Sequence, residues 1–276
     1  MAKITCIVNN TAKKDSGLRS EHGLAFWIEI GSSGMLFDAG QTEAVLSHNM
    51  AMLGLKGQKV KAVVFSHAHY DHIGGLEAVL SGNTDLTIYA HTDIFRPRYS
   101  LREGKYQSIG LSLTQADLAS RAKLSLSHTP AEILPDLWTT GEILERLEPE
   151  GRSTHHFIVI DETWQPDPYR DDLSLVLKTQ KGLVVICGCC HAGLLNTLFH
   201  VQKMFKRPII AVLGGTHLVN ADDMYIEHVI DVFQDRYKHI KFYLNHCTGE
   251  RAFQKLKSVF GSQVKACPAG TIIHFN

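Results

Sequence analysis

The sequence has no long hydrophobic run. No stretch approaches the ~18 consecutive apolar residues of a membrane-spanning helix. The first ten residues, MAKITCIVNN, lack the longer apolar segment that follows the positive residues of a signal peptide. We therefore expect a cytoplasmic protein without a membrane partner.

The sequence also has no excess of charge of either sign. Lys and Arg together number 28, as do Asp and Glu, so the formal net charge is zero. This balance gives no electrostatic reason to expect binding to nucleic acid or to an anionic membrane. With 276 residues, of which 44% are apolar, the chain can bury a substantial core.

The cysteines match neither a disulfide framework nor paired C-x-x-C zinc knuckles. We expect all six to be thiols in a reducing compartment: Cys6, Cys187, Cys189, Cys190, Cys247 and Cys267. Histidine, by contrast, is abundant, with sixteen residues. Because histidine is the commonest metal-binding side chain, its abundance favours a metal site.

Apolar periodicity predicts a β-rich first half followed by alternating helices and strands. The predicted strands are 4–8, 24–30, 35–37, 60–66, 86–90, 157–160, 173–178, 183–187, 209–213, 241–244, 264–266 and 271–275. The predicted helices are 41–53, 76–80, 113–121, 193–204, 224–237 and 250–260. With no fixed repeat and no linker, we expect a single domain over residues 1–276, built from two packed sheets with helices outside.

Residues 92–156 depart from this pattern. Charges, serines, glycines and prolines interrupt the apolar periodicity there. We interpret this segment as an insertion that caps the active site.

The loop after the 60–66 strand contains four potential metal ligands within six residues: His67, His69, Asp71 and His72. His67 and His69 are two residues apart, so in an extended chain they share one face and can hold one ion. Asp71 and His72 can reach a second ion beside it. Imidazole and carboxylate suit one or two divalent ions, with Zn first and Mn or Fe as alternatives. The alternative reading is a polar loop with solvated histidines.

The segment VVFSHAHYDHIGGL resembles the H-x-H-x-D-H signature of the metallo-β-lactamase-fold hydrolases, and Leu36-Phe37-Asp38-Ala39-Gly40 resembles the step before their metal strand. The resemblance covers essentially the whole chain. It implies an α/β fold, an αββα sandwich of two mixed sheets with helices on the outer faces, and a metal-dependent hydrolase.

A closer resemblance is to the subgroup named for 7,8-dihydropterin-6-methyl-4-(β-D-ribofuranosyl)aminobenzene-5′-phosphate synthase. It rests on five segments, namely Thr140-Gly141-Glu142-Ile143, Asp171-Asp172-Leu173-Ser174-Leu175, Gly188-Cys189-Cys190-His191-Ala192-Gly193, Gly214-Gly215-Thr216-His217-Leu218 and His246-Cys247-Thr248-Gly249.

Three further histidines follow predicted strands. His191 precedes a helix, and the resemblance also implies a metal ligand there. We favour His217 as a ligand and rank it slightly above His246, which could be a ligand, a proton donor or a supporting group. The usual bridging Asp of the fold is absent, because Cys189 follows Gly188, and the usual H-T-P-G-H segment is missing. Asp172 could supply a carboxylate, or Cys189 a thiolate, or the site could hold one tight and one weak ion.

A basic stretch in the insertion is either solvated surface or a grip on an anionic substrate, since arginine matches phosphate geometry. Its residues are Arg96, Arg98, Tyr99, Arg102 and Lys105. For ten other histidines we predict no role in the site: His22, His48, His91, His128, His155, His156, His200, His228, His239 and His274.

Together these features predict a metal-dependent hydrolase or transferase acting on a phosphorylated small molecule, with a pterin among the candidates. A metal-bound water would have its pKa lowered from 15.7 toward about 7. Asp71 would orient this water and act as base, and His246 could stabilise the developing oxyanion. The alternatives are a di-iron redox enzyme of the same fold and a non-catalytic metal-binding ligand sensor.

Overall fold

The computed structural model describes residues 1–276, apart from the side chain of Lys59. Its strands are, in chain order, β1 (Ala2–Val8), β2 (Ala25–Ile30), β3 (Ser33–Phe37), β4 (Ala62–Val64), β5 (Thr87–Ala90), β6 (Tyr99–Arg102), β7 (Lys105–Ser108), β8 (Lys123–Leu126), β9 (Glu132–Leu134), β10 (Leu137–Thr139), β11 (His156–Ile160), β12 (Thr163–Pro166), β13 (Ser174–Lys178), β14 (Leu183–Cys187), β15 (Ile209–Gly214), β16 (Lys241–Leu244), β17 (Val264–Ala266) and β18 (Ile272–Phe275). The helices are α1 (Glu43–Met52), α2 (Tyr70–Ile73), α3 (Glu77–Leu80), α4 (Gln115–Ala119), α5 (Leu194–Phe205), α6 (Asp223–Arg236) and α7 (Glu250–Phe260).

Most strands belong to two seven-stranded mixed sheets. The first sheet has the order β18-β1-β2-β3-β4-β5-β8, and the second has the order β17-β16-β15-β14-β13-β10-β9. Strands β3, β4, β5 and β8 run parallel in the first sheet, as do β14 to β17 in the second. A smaller antiparallel sheet has the order β12-β11-β6-β7.

Strand β14 shows why its sequence is apolar at every position. Leu183, Val185 and Cys187 pack with the helices that cover the second sheet. Val184 and Ile186 point the other way, into the core between the two sheets. Because side chains alternate along a strand, a strand covered on both faces needs apolar residues throughout.

Helices cover the two outer faces. Helices α1 and α3 pack on the first sheet, and α5, α6 and α7 pack on the second. Side-chain caps fix where two of them begin, since Thr42 accepts from Val45 N and Asp222 from Tyr225 N. The predicted arrangement of two packed sheets with helices outside is confirmed.

The segment 92–156 is distributed over all three sheets. Strand β8 extends the first sheet, β9 and β10 extend the second, and the β6–β7 hairpin belongs to the small sheet. Leu124 and Leu126 of β8 pack against the first sheet's helical layer, which explains why this part joins the main body. Residues 92–156 are thus not one separate unit, and a cap over the site, formed by the small sheet, stays a prediction. Within the described residues, no helix has the length and apolar character needed to cross a membrane.

Candidate metal centre

The predicted ligands lie in loops that follow parallel strands. The His67–His72 loop follows β4, and Cys189 and His191 follow β14. His217 follows β15, and His246 follows β16. Since the carboxyl ends of parallel strands form one edge of a sheet, these loops converge at one place. Several of them carry strained backbone, with positive φ angles at Asp38, His217 and His246.

The first donor set contains His67, His69, His191 and Cys189. Nε2 of His67 lies 3.0 Å from Nδ1 of His69. One donor atom each from His67, Cys189 and His191 lie within 4.8 Å of one another. All four side chains are buried. The Nε2 atom of His191 has no hydrogen-bond partner among the described residues, as expected of an atom that faces a cation.

The second donor set contains Asp71, His72, His246 and Cys189. Nε2 of His72 lies 3.2 Å from both Nε2 of His246 and Sγ of Cys189, and 3.5 Å from Oδ2 of Asp71. Oδ2 of Asp71 lies 3.3 Å from Nε2 of His246. Zinc bonds of about 2.0–2.3 Å in a tetrahedron separate neighbouring donors by roughly 3.3–3.8 Å. These separations therefore fit a tetrahedral transition-metal ion.

The hydrogen bonds of the imidazoles orient their free nitrogens toward the donor sets. Nδ1–H of His191 donates to the Gly151 carbonyl, and Nδ1–H of His246 donates to Oδ1 of Asn10. Each bond leaves the Nε2 lone pair available as a ligand. Such partners, which hold the other ring nitrogen, are typical of metal-binding histidines.

Asp38 orients a histidine of each donor set through hydrogen bonds of this kind. Its Oδ2 accepts from Nδ1–H of His72 at 2.7 Å and from the Ser66 hydroxyl at 2.8 Å. Because Ser66 gives its one proton to Asp38, it accepts from Nδ1–H of His67, 2.8 Å away. Asp38, in the segment that resembles the step before the metal strand, thus fixes one histidine of each set, His72 directly and His67 through Ser66.

Cys189 is common to both sets. It is buried, and it follows Gly188, which packs directly against Ser66. A Cβ atom at Gly188 would collide with the Ser66 side chain, so glycine lets the end of β14 approach the His67 loop. Of the alternatives left open by the sequence, a thiolate from Cys189 has the geometry of a shared ligand. Asp172 instead accepts a hydrogen bond from Ala192 N at 2.8 Å.

The charges around the site favour a cation. Burial lowers the pKa of His67 and His191, so both rings are neutral at neutral pH. Burial also opposes the charged form of His72, but Asp71 and Asp38 outweigh it and raise its pKa to about 9. Burial would raise the pKa of Asp71, yet the imidazoles of His72 and His246 hold it well below its usual range. Without an ion, a proton on His72 balances the carboxylates.

An open cleft of about 280 Å³ lies over these donors. Among the predicted substrate-binding residues, Arg102 lines this cleft and forms no ion pair with the described residues. Arg96 pairs with Asp93, and Tyr99 packs against Trp164. Neither lines the cleft.

Arg98 differs most from the sequence-based expectation that it contacts substrate. Its side chain is 0% exposed and pairs with Asp171 at 2.7 Å, Asp167 at 3.1 Å and Asp93 at 3.3 Å. A guanidinium enclosed by three carboxylates is not free to bind a ligand. The reason is long-range, since two of these partners lie about seventy residues further along the chain.

Two histidines for which no role was predicted line the cleft. Nε2 of His22 lies 3.2 Å from Oδ2 of Asp71. His156 bonds to the Tyr169 hydroxyl at 2.8 Å, and burial, aided by His217, lowers its pKa to about 4. Neither has ligand spacing to another histidine of the main motif, so sequence pattern alone did not reveal them.

His217 and Cys247 form a third group of donors with Cys189, and the His217 ring lies 4.3 Å from that of His191. Donor atoms of Cys189, His217 and Cys247 lie within 4.8 Å of one another, and the His217 N–H donates to Sγ of Cys247 at 3.3 Å. Contrary to the ranking from the sequence, the geometry gives His246, and not His217, the place beside Asp71 and His72.

Comparison with known proteins agrees with this architecture. The chain is 29% identical to the 7,8-dihydropterin-6-methyl-4-(beta-D-ribofuranosyl)-aminobenzene-5'-phosphate synthase of Methanocaldococcus jannaschii, over 99% of this chain and 96% of that protein. It is 30% identical to an uncharacterised protein of the same organism, over 93% and 94% of the two chains.

A solved structure described as a metal-dependent hydrolase of the beta-lactamase superfamily superposes with a TM-score of 0.84 at 26% identity, over the full length of both chains. The predicted fold class and the predicted family resemblance are therefore confirmed. The family profile of the metallo-beta-lactamase superfamily matches residues 19–173, more than half of the chain. The chain thus belongs to the metallo-beta-lactamase superfamily.

Proposed function

We propose that this protein is a binuclear metal-dependent enzyme, a hydrolase or transferase that acts on a phosphorylated small molecule. The observation that carries the proposal is the position of Cys189, whose sulfur lies within ligand distance of two separate donor sets. His67, His69 and His191 would hold one ion, and Asp71, His72 and His246 the other. Five imidazoles beside a thiolate favour Zn, with Mn or Fe as alternatives.

Bound ions would supply Lewis acidity and lower the pKa of a bound water toward about 7. Asp71 would orient the attacking group, since neighbouring imidazoles keep this carboxylate ionised. A carboxylate with so low a pKa is a weak base, so the proton would pass on to His22, which is half exposed and lies 3.2 Å from Asp71. His246 faces the cleft and would steady negative charge that develops on the substrate.

Arg102 supports an anionic substrate. Arg102 lines the cleft together with His156 and Ser153. A guanidinium fork matches the oxygens of a phosphate and can bind two of them together. The similar synthase from M. jannaschii is named for a phosphorylated product that contains a pterin, which makes a phosphorylated, pterin-related molecule the first substrate class to test.

The choice between hydrolase and transferase depends on what attacks the substrate. One similar protein is named a synthase and another a hydrolase. A water held by Asp71 gives hydrolysis, whereas a second organic substrate in the same place gives transfer.

The six free thiols agree with the expected reducing compartment, so we keep the cytoplasm as the proposed location.

The test is metal analysis of the purified protein combined with turnover of a panel of phosphoesters, including a phosphoribosylated aromatic amine with a dihydropterin. We expect about two ions per chain and product that requires them. His67→Ala should lose metal and activity. His239→Ala, an exposed histidine far from the cleft, is the matched control and should keep both.

Other outcomes separate the alternatives. Bound iron with a visible absorption band and oxygen consumption would favour the di-iron redox enzyme. Saturable ligand binding without any product would favour the sensor. A protein that binds no divalent ion under metal-replete conditions would contradict the proposal.

A further inference from the structure

Two consecutive aspartates lie directly behind the first donor set. Asp171 is 0% exposed and Asp172 is 1% exposed. Oδ2 of Asp171 accepts the backbone N–H of Ala68 at 2.8 Å. Oδ2 of Asp172 accepts the backbone N–H of Ala192, also at 2.8 Å. The two consecutive side chains, in the turn that leads into β13, therefore reach two different loops.

The two loops are those that carry the first donor set. Ala68 stands between His67 and His69, and Ala192 directly follows His191. The next residue of the segment continues the connection, because Leu173 N donates to the Ser66 carbonyl at 3.0 Å. Residues 171–173 therefore join both loops through three hydrogen bonds.

Burying two carboxylates side by side is costly unless they are paired. Arg98 pairs with Asp171 at 2.7 Å and is itself fully buried. Arg98 also pairs with Asp167 at 3.1 Å, and Asp167 directly follows strand β12 of the small sheet. The Arg98–Asp171 pair is therefore connected to that sheet.

We infer that Asp171 and Asp172 are positioning residues that fix the His67–His69 loop and the His191 loop relative to each other, with Arg98 holding Asp171 in place. This inference rests on the proposed metal site. It assigns the Asp171-Asp172 pair a role that differs from ligation, because neither carboxylate belongs to a donor set.

The inference predicts a selective effect. The second donor set has other supports, since Asp38 holds His72 and Asn10 holds His246. Loss of either aspartate should therefore weaken the first ion and leave the second in place. A general loss of stability would weaken both ions together.

The experiment is a Co²⁺ titration of metal-free wild type and variants by chelator competition, with unfolding followed in parallel. In Asp171→Ala and Asp172→Ala we expect the affinity of one ion to fall by about 10–100-fold while the other is unchanged. Asp171→Asn and Asp172→Asn keep an oxygen that accepts the N–H, so they should recover part of the loss. If the alanine variants do not fold, the metal affinities of the asparagine variants still test the inference.

Thr140→Ala is the matched control. Thr140 is equally buried, and its Oγ1 accepts Ser174 N at 3.0 Å, yet its hydrogen bonds go to Gly141, Ser174 and His200 and to neither ligand loop. It should lower stability without changing either metal affinity. Unchanged affinities in all aspartate variants, or equal loss of both ions, would overturn the inference while leaving the metal site intact. A wild type that binds no Co²⁺ would overturn the proposed function and this inference together.

Discussion

Asp38 Oδ2 lies 2.7 Å from Nδ1 of His72, and both side chains are fully buried. The same oxygen accepts from Ser66, whose hydroxyl in turn holds His67. One carboxylate at the end of β3 therefore orients a histidine of each donor set. This arrangement explains why an aspartate with a positive φ angle is kept at a buried position.

Asp38→Asn should weaken both ions, because it removes the charge that both histidines depend on. We expect a loss of roughly 10–100-fold in affinity for each. Competition with a chromophoric chelator measures it. Asp235→Asn, on the exposed end of α6, is the matched control and should bind metal like wild type. Selective loss of one ion would contradict the shared role of Asp38.

His246→Ala should remove the second ion, whereas His217→Ala should keep both. The reason is that Nε2 of His246 lies 3.2 Å from His72 and 3.3 Å from Asp71, while His217 contacts Cys247 instead. Metal content after dialysis against limiting Zn²⁺ gives the answer. Loss of an ion in His217→Ala but not in His246→Ala would instead support the ranking from the sequence, which places His217 above His246 as a ligand.

Metal-free protein should lose stability as the pH rises from about 6.5 to about 9. The carboxylates of Asp71 and Asp38 overcome the effect of burial and raise the pKa of His72 to about 9. A group with a raised folded pKa stabilises the protein below its unfolded pKa, and this contribution disappears as the pH passes the folded value. The full difference is about 3 kcal/mol.

Urea unfolding of chelator-treated protein across this pH range measures the effect. His72→Gln should flatten the dependence, whatever its absolute stability. Metal affinity should change in the opposite direction and increase with pH, because the ion must displace the proton on His72. A stability that rises through this range, or an equal slope in the variant, would show that another group is responsible.

Arg102→Ala should raise KM for a phosphorylated substrate by roughly tenfold or more, since a charged hydrogen bond contributes about 1.5–3 kcal/mol. Metal content should not change. Lys105→Ala is the control. Lys105 lies opposite Arg102 in the register of the β6–β7 hairpin, but it does not line the cleft. An equal rise in both variants would indicate a general electrostatic effect and not a phosphate contact.

Local pattern was sufficient to predict most of the fold. The continuous apolar run of β14 follows from burial on both of its faces, a property that local sequence shows directly. The His67–His72 loop was predictable for the same reason, since all its ligands lie within six residues. Boundaries differed by one to a few residues; the strand predicted over 60–66 is Ala62–Val64, although Phe65 N still bonds to Tyr89 O.

The remaining parts of the site depend on contacts between distant segments. Arg98 and Arg102 lie in one basic stretch, yet one is enclosed by Asp167 and Asp171 and the other lines the cleft. Nothing within the stretch distinguishes them. His22 contacts Asp71 from a loop almost fifty residues earlier in the chain. Its position in the site depends on the fold and could not be predicted from local sequence.

The shared position of Cys189 is the central claim, and cobalt substitution tests it most directly. Co²⁺ bound to a thiolate gives an intense near-ultraviolet charge-transfer band. We predict this band in wild type and in Cys267→Ser, which removes a buried thiol away from the donor sets. In Cys189→Ser the band should disappear and the affinity for both ions should fall. A cobalt-loaded wild type without the band, or a Cys189→Ser variant that keeps it with two tightly bound ions, would contradict a site built around this sulfur.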